Sequence, residues 1–198
     1  MADPAVREQR LSMVNEPHIK PLTDYADSLG IASGLEVPKF DPADGGVKAS
    51  LLFLFEKPGP MTSTGARGRR VGSGFISRDN DDPTAEATFN FMARAGIPRS
   101  GTVLWNVVPR WNGTRRVSVG ELAEGVEQVG RLLTLLPGVR GIVLVGRKAQ
   151  TARPHLEKTG MRVFQSPHPS PLVRATHPKE WSEIPRRWAE AASAVGLT

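Results

Sequence analysis

The sequence predicts an α/β fold, a three-layer α/β/α sandwich around a central, mainly parallel sheet of four strands. Short apolar runs alternate along the chain with longer segments in which apolar residues recur at helical spacing. The first run is apolar at almost every position, which is typical of strands that helices cover on both faces. The predicted strands are residues 50–55, 102–108, 141–145 and 161–165.

The first helix between these strands is predicted over residues 83–95. Asp82 suits its N-cap, Pro83 its first turn and Gly96 its end. Residues at helical spacing predict the buried face, which consists of Ala85, Phe89 and Met92.

Two further helices are predicted. One begins at Ser118, which with Glu121 forms a capping-box pattern, and ends at Pro137-Gly138; the other covers residues 178–195. The apolar stripe of the first is Val119, Leu122, Val126, Val129, Leu133 and Leu136. The apolar face of the second is Trp181, Ile184, Trp188 and Ala192.

The weakly patterned start of the chain suggests a division into two parts. Five prolines interrupt residues 1–48, which we interpret as an N-terminal extension of short helical turns packed on the domain. Residues 49–198 then form the domain that carries the function. Nothing in the pattern of residues 1–48 indicates their role.

Composition excludes several classes of site. The chain has 198 residues and no cysteine, so disulfides, iron–sulfur clusters and zinc–thiolate sites cannot form. Met1 to Arg10 carry charges and no apolar run, and no stretch is long enough to span a membrane. The expectation is a cytoplasmic, nucleoid-associated monomer that needs no metal or cofactor.

The charge of the chain points to a polyanionic partner. The net charge is +6, and the glycine-rich segment from Lys57 to Arg78 contains five basic residues and no acid. We interpret this segment as a mobile basic loop. Within it, residues 65–73 are expected to contact a nucleic-acid backbone, and the alternative is a disordered, solvated loop. An unrelated phosphate-binding enzyme is disfavoured because the chain has no Gly-x-x-x-x-Gly-Lys-Ser/Thr loop.

Ligands of a parallel sheet bind beyond the carboxyl ends of its strands, so the segments that follow the strands are expected to carry the chemistry. These segments are residues 56–60, 109–113, 146–148 and 166–172.

The last of these segments contains a histidine between prolines. Prolines restrict the backbone, and a rigidly held imidazole at His168 can donate to a developing oxyanion. The alternative is a structural histidine in a turn. Leu172 follows on the same loop, where an apolar side chain is a suitable wedge for an opened duplex, although a leucine is more often part of a core.

An amide lies inside the second predicted strand. Burying Asn106 is costly unless its side chain is paired, and its donor and acceptor match the O4 and N3–H edge of uracil. The alternative, a buried asparagine satisfied by the backbone, carries equal weight.

Four blocks together resemble the uracil-DNA glycosylase superfamily. In order they are Glu56-Lys57-Pro58-Gly59 after the first strand, Gly74-Phe75-Ile76, Leu104-Trp105-Asn106-Val107-Val108, and His168-Pro169-Ser170-Pro171-Leu172. Glu56, Gly59 and the run from Asn106 are most similar to the bacterial and archaeal iron–sulfur branch. The resemblance covers roughly residues 48–195.

The resemblance implies a monofunctional enzyme of base excision repair that binds uracil-containing DNA, flips the nucleotide out, releases uracil and leaves abasic DNA. It implies that Phe75 stacks on the flipped uracil, Asn106 reads its edge and His168 supports O2. It further implies that Ser170 and Leu172 contact the DNA. Arg67, Arg69, Arg70 and Arg110 are expected to contact phosphates.

The chain departs from this branch in several places. The cluster cysteines are absent, Lys57 replaces the water-activating aspartate, and Gly59 replaces a tyrosine that excludes the thymine methyl group. Lys57 and Gly59 are therefore expected at the uracil pocket, and Glu56 is the first candidate for positioning water. The alternatives are that Glu56 only shapes the pocket, or that an acidic turn supplies the base; that turn consists of Asp79, Asp81 and Asp82.

Two rival functions remain. The loss of the aspartate is consistent with a DNA- or RNA-binding protein with little or no turnover. Gly59 is consistent with a glycosylase for another deaminated or 5-substituted base.

Overall fold

The structure is a computed structural model that describes residues 1–64, 66–67 and 70–198, with residues 66, 67 and 70 described by their backbone alone. The strands are β1 (Lys39–Phe40), β2 (Leu51–Phe55), β3 (Ala66–Arg67), β4 (Arg70–Val71), β5 (Phe75–Ile76), β6 (Thr102–Asn106), β7 (Gly141–Val145) and β8 (Arg162–Ser166). The helices are α1 (Pro4–Met13), α2 (Lys20–Ser33), α3 (Pro83–Arg94), α4 (Val119–Thr134), α5 (Arg147–Gln150), α6 (Arg153–Leu156), α7 (Pro171–Thr176), α8 (Pro178–Ser182) and α9 (Ile184–Ala194).

The central sheet has four strands in the order β6-β2-β7-β8, and all of its pairs are parallel. The predicted fold class and strands are therefore confirmed, with strand ends that differ by no more than two residues. Because β2 lies between β6 and β7, the chain leaves β2 toward one edge and later returns on its other side. A crevice forms at such a switch point, between the carboxyl ends of β2 and β7.

Alternation along the strands sorts their side chains between two faces. The register pairs Leu54 with Trp105 and Phe55 with Asn106, so Phe55 and Asn106 share one face and Trp105 lies on the other. The ring of Trp188 in α9 contacts Phe53 at a centroid distance of 5.0 Å, which places α9 on the face of Phe55. On the opposite face, the ring centroids of Tyr25 in α2 and Trp105 are 6.3 Å apart. The Tyr25 hydroxyl donates to the carbonyl oxygen of Gln128 in α4.

The predicted helix caps are confirmed. The Asp82 side chain accepts from the backbone N–H groups of Thr84 and Ala85. Ser118 and Glu121 form both bonds of the capping box at the start of α4.

Two residues assigned to buried helix faces are exposed instead. Phe89 of α3 is 50% exposed and Val119 of α4 is 87% exposed. The cause is the same in both helices: each residue advances the helix by about 100°. Phe89 and Val119 therefore lie about a quarter turn from the faces that are buried. Those faces are formed by Ala85, Thr88, Phe91 and Met92 in α3, and by Gly125, Val129 and Leu132 in α4.

The single C-terminal helix predicted over residues 178–195 is wrong in one respect. The structure divides it into α8 and α9, with Glu183 between them. Pro185 has no N–H to donate to the carbonyl oxygen four residues earlier, so the helical hydrogen-bond pattern is interrupted at this point. Ile184, Trp188 and Ala192 are buried as predicted, whereas Trp181 is only half-buried.

The N-terminal segment is more regular than predicted. α1 and α2 have 10 and 14 residues rather than isolated turns, since Pro4 and Pro21 lie in the first turns of these helices, where proline is tolerated. After them, β1 pairs in parallel with β5, outside the central sheet. The extension therefore contacts the strand that contains Phe75.

The basic segment predicted as a loop contains a short antiparallel pair, β3 with β4. Arg69 lies outside the described residues, as do the side chains of Arg67 and Arg70, so their predicted role stays a prediction. Within the described ranges, no helix combines the length and the apolar character needed to cross a membrane.

Candidate active site

A cavity of about 690 Å³ lies beyond the carboxyl ends of the central strands. Each of the four strands contributes a lining residue from its end or from the segment that follows: Glu56 after β2, Asn106 at the end of β6, Lys148 after β7 and His168 after β8. The sheet topology therefore brings three predicted site residues together, as expected for the switch point.

The Asn106 side chain faces this cavity at the end of a buried strand. Its backbone lies opposite Phe55, and Asn106 is 4% exposed. Among the described residues, none forms a hydrogen bond with its amide, which leaves both the donor and the acceptor available to a ligand. This geometry favours the binding interpretation of Asn106 over a side chain satisfied by the backbone.

The His168 imidazole is neutral at physiological pH. Burial, reinforced by the positive charge of Arg115, lowers the pKa of His168 to about 4. The ring meets Phe55 edge-on, with ring centroids 6.0 Å apart. A neutral ring in this position has an N–H to donate without carrying a charge.

Glu56 is held beside His168 by a glycine. Its Oε1 accepts from the backbone N–H of Lys148 at 2.9 Å. Gly146 has φ +94°, and a Cβ built there would lie 2.5 Å from the Glu56 Oε1 and 3.1 Å from the His168 Cδ2. Only glycine adopts this backbone readily and admits both side chains. The carboxylate is suitable for holding a water molecule near the imidazole, and its role stays a prediction.

Lys57 and Gly59 both line the cavity but differ in what they offer a ligand. The Lys57 Nζ lies 2.7 Å from the Glu121 Oε1 and 2.8 Å from the Arg116 carbonyl oxygen, and its side chain is 2% exposed. The Lys57 ammonium group is therefore paired within the protein, where it links the segment after β2 to α4. A Cβ built on Gly59 meets nothing within 4 Å, so this wall of the cavity is open.

The structure does not bring Phe75 to the surface of the cavity. Phe75 is 0% exposed, and the neighbouring Ile76 is a lining residue. A base can stack on Phe75 only if the surrounding segment moves. The predicted stacking role stays a prediction.

The residues predicted to contact DNA have different surroundings. Leu172 is 71% exposed, so the alternative that it belongs to the core is wrong. It lies in the first turn of α7 rather than on a loop, and Ser170 is the N-cap of that helix. Arg110 forms an ion pair with Glu124 and is largely covered.

The carboxylates of the acidic turn form contacts within the protein. Asp79 forms ion pairs with Arg10 at 3.0 Å and Arg99 at 2.8 Å, and Asp82 caps α3. Asp81 also has an interaction partner. The alternative in which Asp82 serves as a helix cap is therefore confirmed.

Among the lining residues that were absent from the predicted site, Arg115 and Asn80 offer polar groups to a ligand. Arg115 is exposed, and none of the described residues forms an ion pair with it. The Asn80 Nδ2 donates to the Phe75 carbonyl oxygen at 2.9 Å, while its Oδ1 is buried with no hydrogen-bond partner in the described part of the chain. Arg115 was visible in the sequence only as one of several arginines, and Asn80 only as part of a polar turn.

Arg115 provides a test of the electrostatics at this site. We expect Arg115→Ala to raise the pKa of His168 from about 4 toward its usual value, because one of the two causes of the low pKa is removed. Burial remains, so the pKa stays below 6.5. The measurement is an NMR titration of the His168 ring proton. Arg116→Ala is the matched control, and an equal pKa in both variants would contradict the contact.

One family model matches the chain. It is described as the uracil DNA glycosylase superfamily and matches residues 45–192. The match contains the whole central sheet and all four strand-end segments. No curated protein matches the chain.

Proposed function

Because the chain belongs to the uracil DNA glycosylase superfamily, we propose that it hydrolyses the N-glycosidic bond of deoxyuridine in DNA, releasing uracil and leaving an abasic site. The observation that carries the proposal is the shared cavity of Asn106, His168 and Glu56. An unoccupied amide, a neutral imidazole and a carboxylate are the groups that such a hydrolysis needs.

Recognition of the base comes first. Uracil must leave the stack to enter a cavity at the end of a sheet. The Asn106 amide donates to O4 and accepts from N3–H, so cytosine, whose edge has the opposite pattern, fits poorly. The exposed Leu172 beside the cavity is suited to fill the space that the nucleotide leaves in the duplex.

Bond cleavage places opposite charges on the two fragments. The bond between N1 and C1′ breaks with its electron pair on the base, which becomes a uracil anion, while the sugar becomes an oxocarbenium cation. The neutral His168 N–H donates to O2 and stabilises the anion. A water held by Glu56 adds to C1′ and gives its proton to the carboxylate, and the base is finally protonated by solvent.

The strand-end residues also support a likeness to the iron–sulfur branch, although the chain has no cysteine to bind a cluster. We further propose that Arg67, Arg69 and Arg70 contact phosphates without reading sequence. Such contacts do not depend on whether the base is still attached, so release of the abasic product is expected to be slow.

The direct test is single-turnover release of uracil from single- and double-stranded oligonucleotides that contain one deoxyuridine. We expect uracil and an alkali-labile abasic site in equal amounts, and none from matched oligonucleotides with cytosine. Binding without release would instead support a DNA-binding protein of this fold and would refute the hydrolysis.

A second candidate function follows from Gly59. The open wall there leaves room for a substituent on C5 of uracil. Cleavage of a panel of oligonucleotides with thymine and 5-substituted uracils distinguishes the two functions. We expect Gly59→Tyr to abolish cleavage of the substituted bases and to retain cleavage of uracil.

A further inference from the structure

A residue that precedes the family match contacts the segment next to one wall of the cavity. The match begins at residue 45, whereas Glu36 lies between α2 and β1 in the N-terminal extension. Its backbone carbonyl oxygen accepts from the N–H of Trp111 at 2.8 Å, in the segment that follows β6. The extension is therefore fastened to one of the segments that carry the site.

The Glu36 carboxylate binds Ser63 and Thr64, which directly follow the cavity-lining residues 59–62. Its Oε2 accepts from the Ser63 hydroxyl at 2.6 Å. Its Oε1 accepts from the Thr64 backbone N–H at 2.5 Å and from the Thr64 hydroxyl at 2.9 Å. Hydrogen bonds to an ionised acceptor are stronger than those between neutral groups.

These bonds act on the open wall of the cavity. Gly59, Pro60, Met61 and Thr62 all line it, and Ser63 and Thr64 follow directly. The turn is closed on itself because the Thr62 hydroxyl donates to the Gly59 carbonyl oxygen at 2.7 Å. Holding Ser63 and Thr64 therefore holds the turn that forms the open wall of the cavity.

We propose that Glu36 is a positioning residue that fixes the turn of residues 59–64 against the segment of Trp111, so that the base pocket is formed before DNA binds. This proposal rests on the proposed function for the identity of the base. Glu36 touches no reacting atom. Its effect is expected in binding of the flipped nucleotide, because a turn that must be ordered by the ligand lowers the apparent affinity.

The test compares Glu36→Ala and Glu36→Gln with Asp24→Ala. Asp24 is a matched control, since it lies in the same extension and pairs with Lys20 within α2. We expect Glu36→Ala to raise the half-saturating concentration of uracil DNA about 10-fold, the loss expected from about 1.4 kcal/mol of binding energy. The single-turnover rate at saturation should change by less than about 3-fold. Glu36→Gln, which keeps an acceptor oxygen, should restore most of the affinity.

A second readout does not depend on cleavage. Amide hydrogen exchange at Thr64 should accelerate in Glu36→Ala and remain unchanged in Asp24→Ala, because the carboxylate is the acceptor for that N–H. Unchanged exchange would show that the Glu36 carboxylate does not hold the Thr64 N–H, and it would refute the proposal. Faster exchange with wild-type affinity would refute the positioning role.

Binding to a non-cleavable 2′-fluorinated deoxyuridine oligonucleotide separates this proposal from the proposed function. Wild-type protein that binds this DNA but releases no uracil from the cleavable deoxyuridine oligonucleotide refutes the hydrolysis alone. The affinity of Glu36→Ala for the non-cleavable DNA then still decides the positioning role. Wild-type protein that does not prefer this DNA over a cytosine control refutes both proposals.

Discussion

His168→Ala is expected to lower the single-turnover rate of uracil release by about 10²–10³-fold, the loss typical of removing one oxyanion donor. The affinity for uracil DNA should change little, because the N–H interaction with O2 strengthens as negative charge builds on the departing base. The measurement is the rate of uracil release at saturating protein, together with the affinity for 2′-fluorinated deoxyuridine DNA.

The pH dependence follows from the low pKa of His168. With a folded pKa of about 4, the imidazole stays neutral from pH 8 down to about pH 5, so the wild-type rate should show no fall centred near pH 6.5. His155→Ala is the matched control, since His155 is exposed and does not line the cavity. A wild-type rate at saturation in His168→Ala, or equal losses in both variants, would contradict the role.

Asn106→Asp is expected to lower uracil release by about 100-fold or more, because an ionised carboxylate has no N–H for O4 and faces it with a negative charge. Sites that hydrogen-bond their substrate discriminate strongly against a ligand with the wrong donors. A protonated aspartate matches the amino group and N3 of cytosine, so weak release of cytosine is expected at low pH.

The measurement for this variant is single-turnover cleavage of uracil and cytosine oligonucleotides across a pH range. Asn90→Asp is the matched control, because Asn90 is an exposed amide on α3 that does not line the cavity. Unchanged uracil kinetics in Asn106→Asp would refute the assignment of Asn106 to the base edge.

A physical reason explains why some predicted site residues offer free groups at the cavity and others do not. Asn106 and His168 lie at strand ends, and the parallel sheet brings all strand ends to one edge. Their approach therefore follows from the fold class. Lys57 is paired with Glu121, which is 64 residues away in sequence, and such a pair depends on how α4 packs.

The sequence by itself determined the parallel sheet, the caps of α3 and α4 and the edge at which the site lies. These features depend on local interactions: apolar periodicity, capping hydrogen bonds and the order of strands and helices. The same local rules misassigned Phe89 and Val119, because a quarter turn of a helix decides which side is buried.

Only the tertiary structure decided which side chains remain available to a ligand and which are buried or paired. It buried Phe75, paired Arg110 with Glu124, brought the charge of Arg115 near His168 and fastened Glu36 to the turn after Gly59. Each of these outcomes depends on side chains that meet across loops, over distances in sequence that no periodicity encodes. The residue type alone does not show whether a charged or aromatic side chain is exposed, buried or paired. That depends on the residues that surround the side chain in the folded protein.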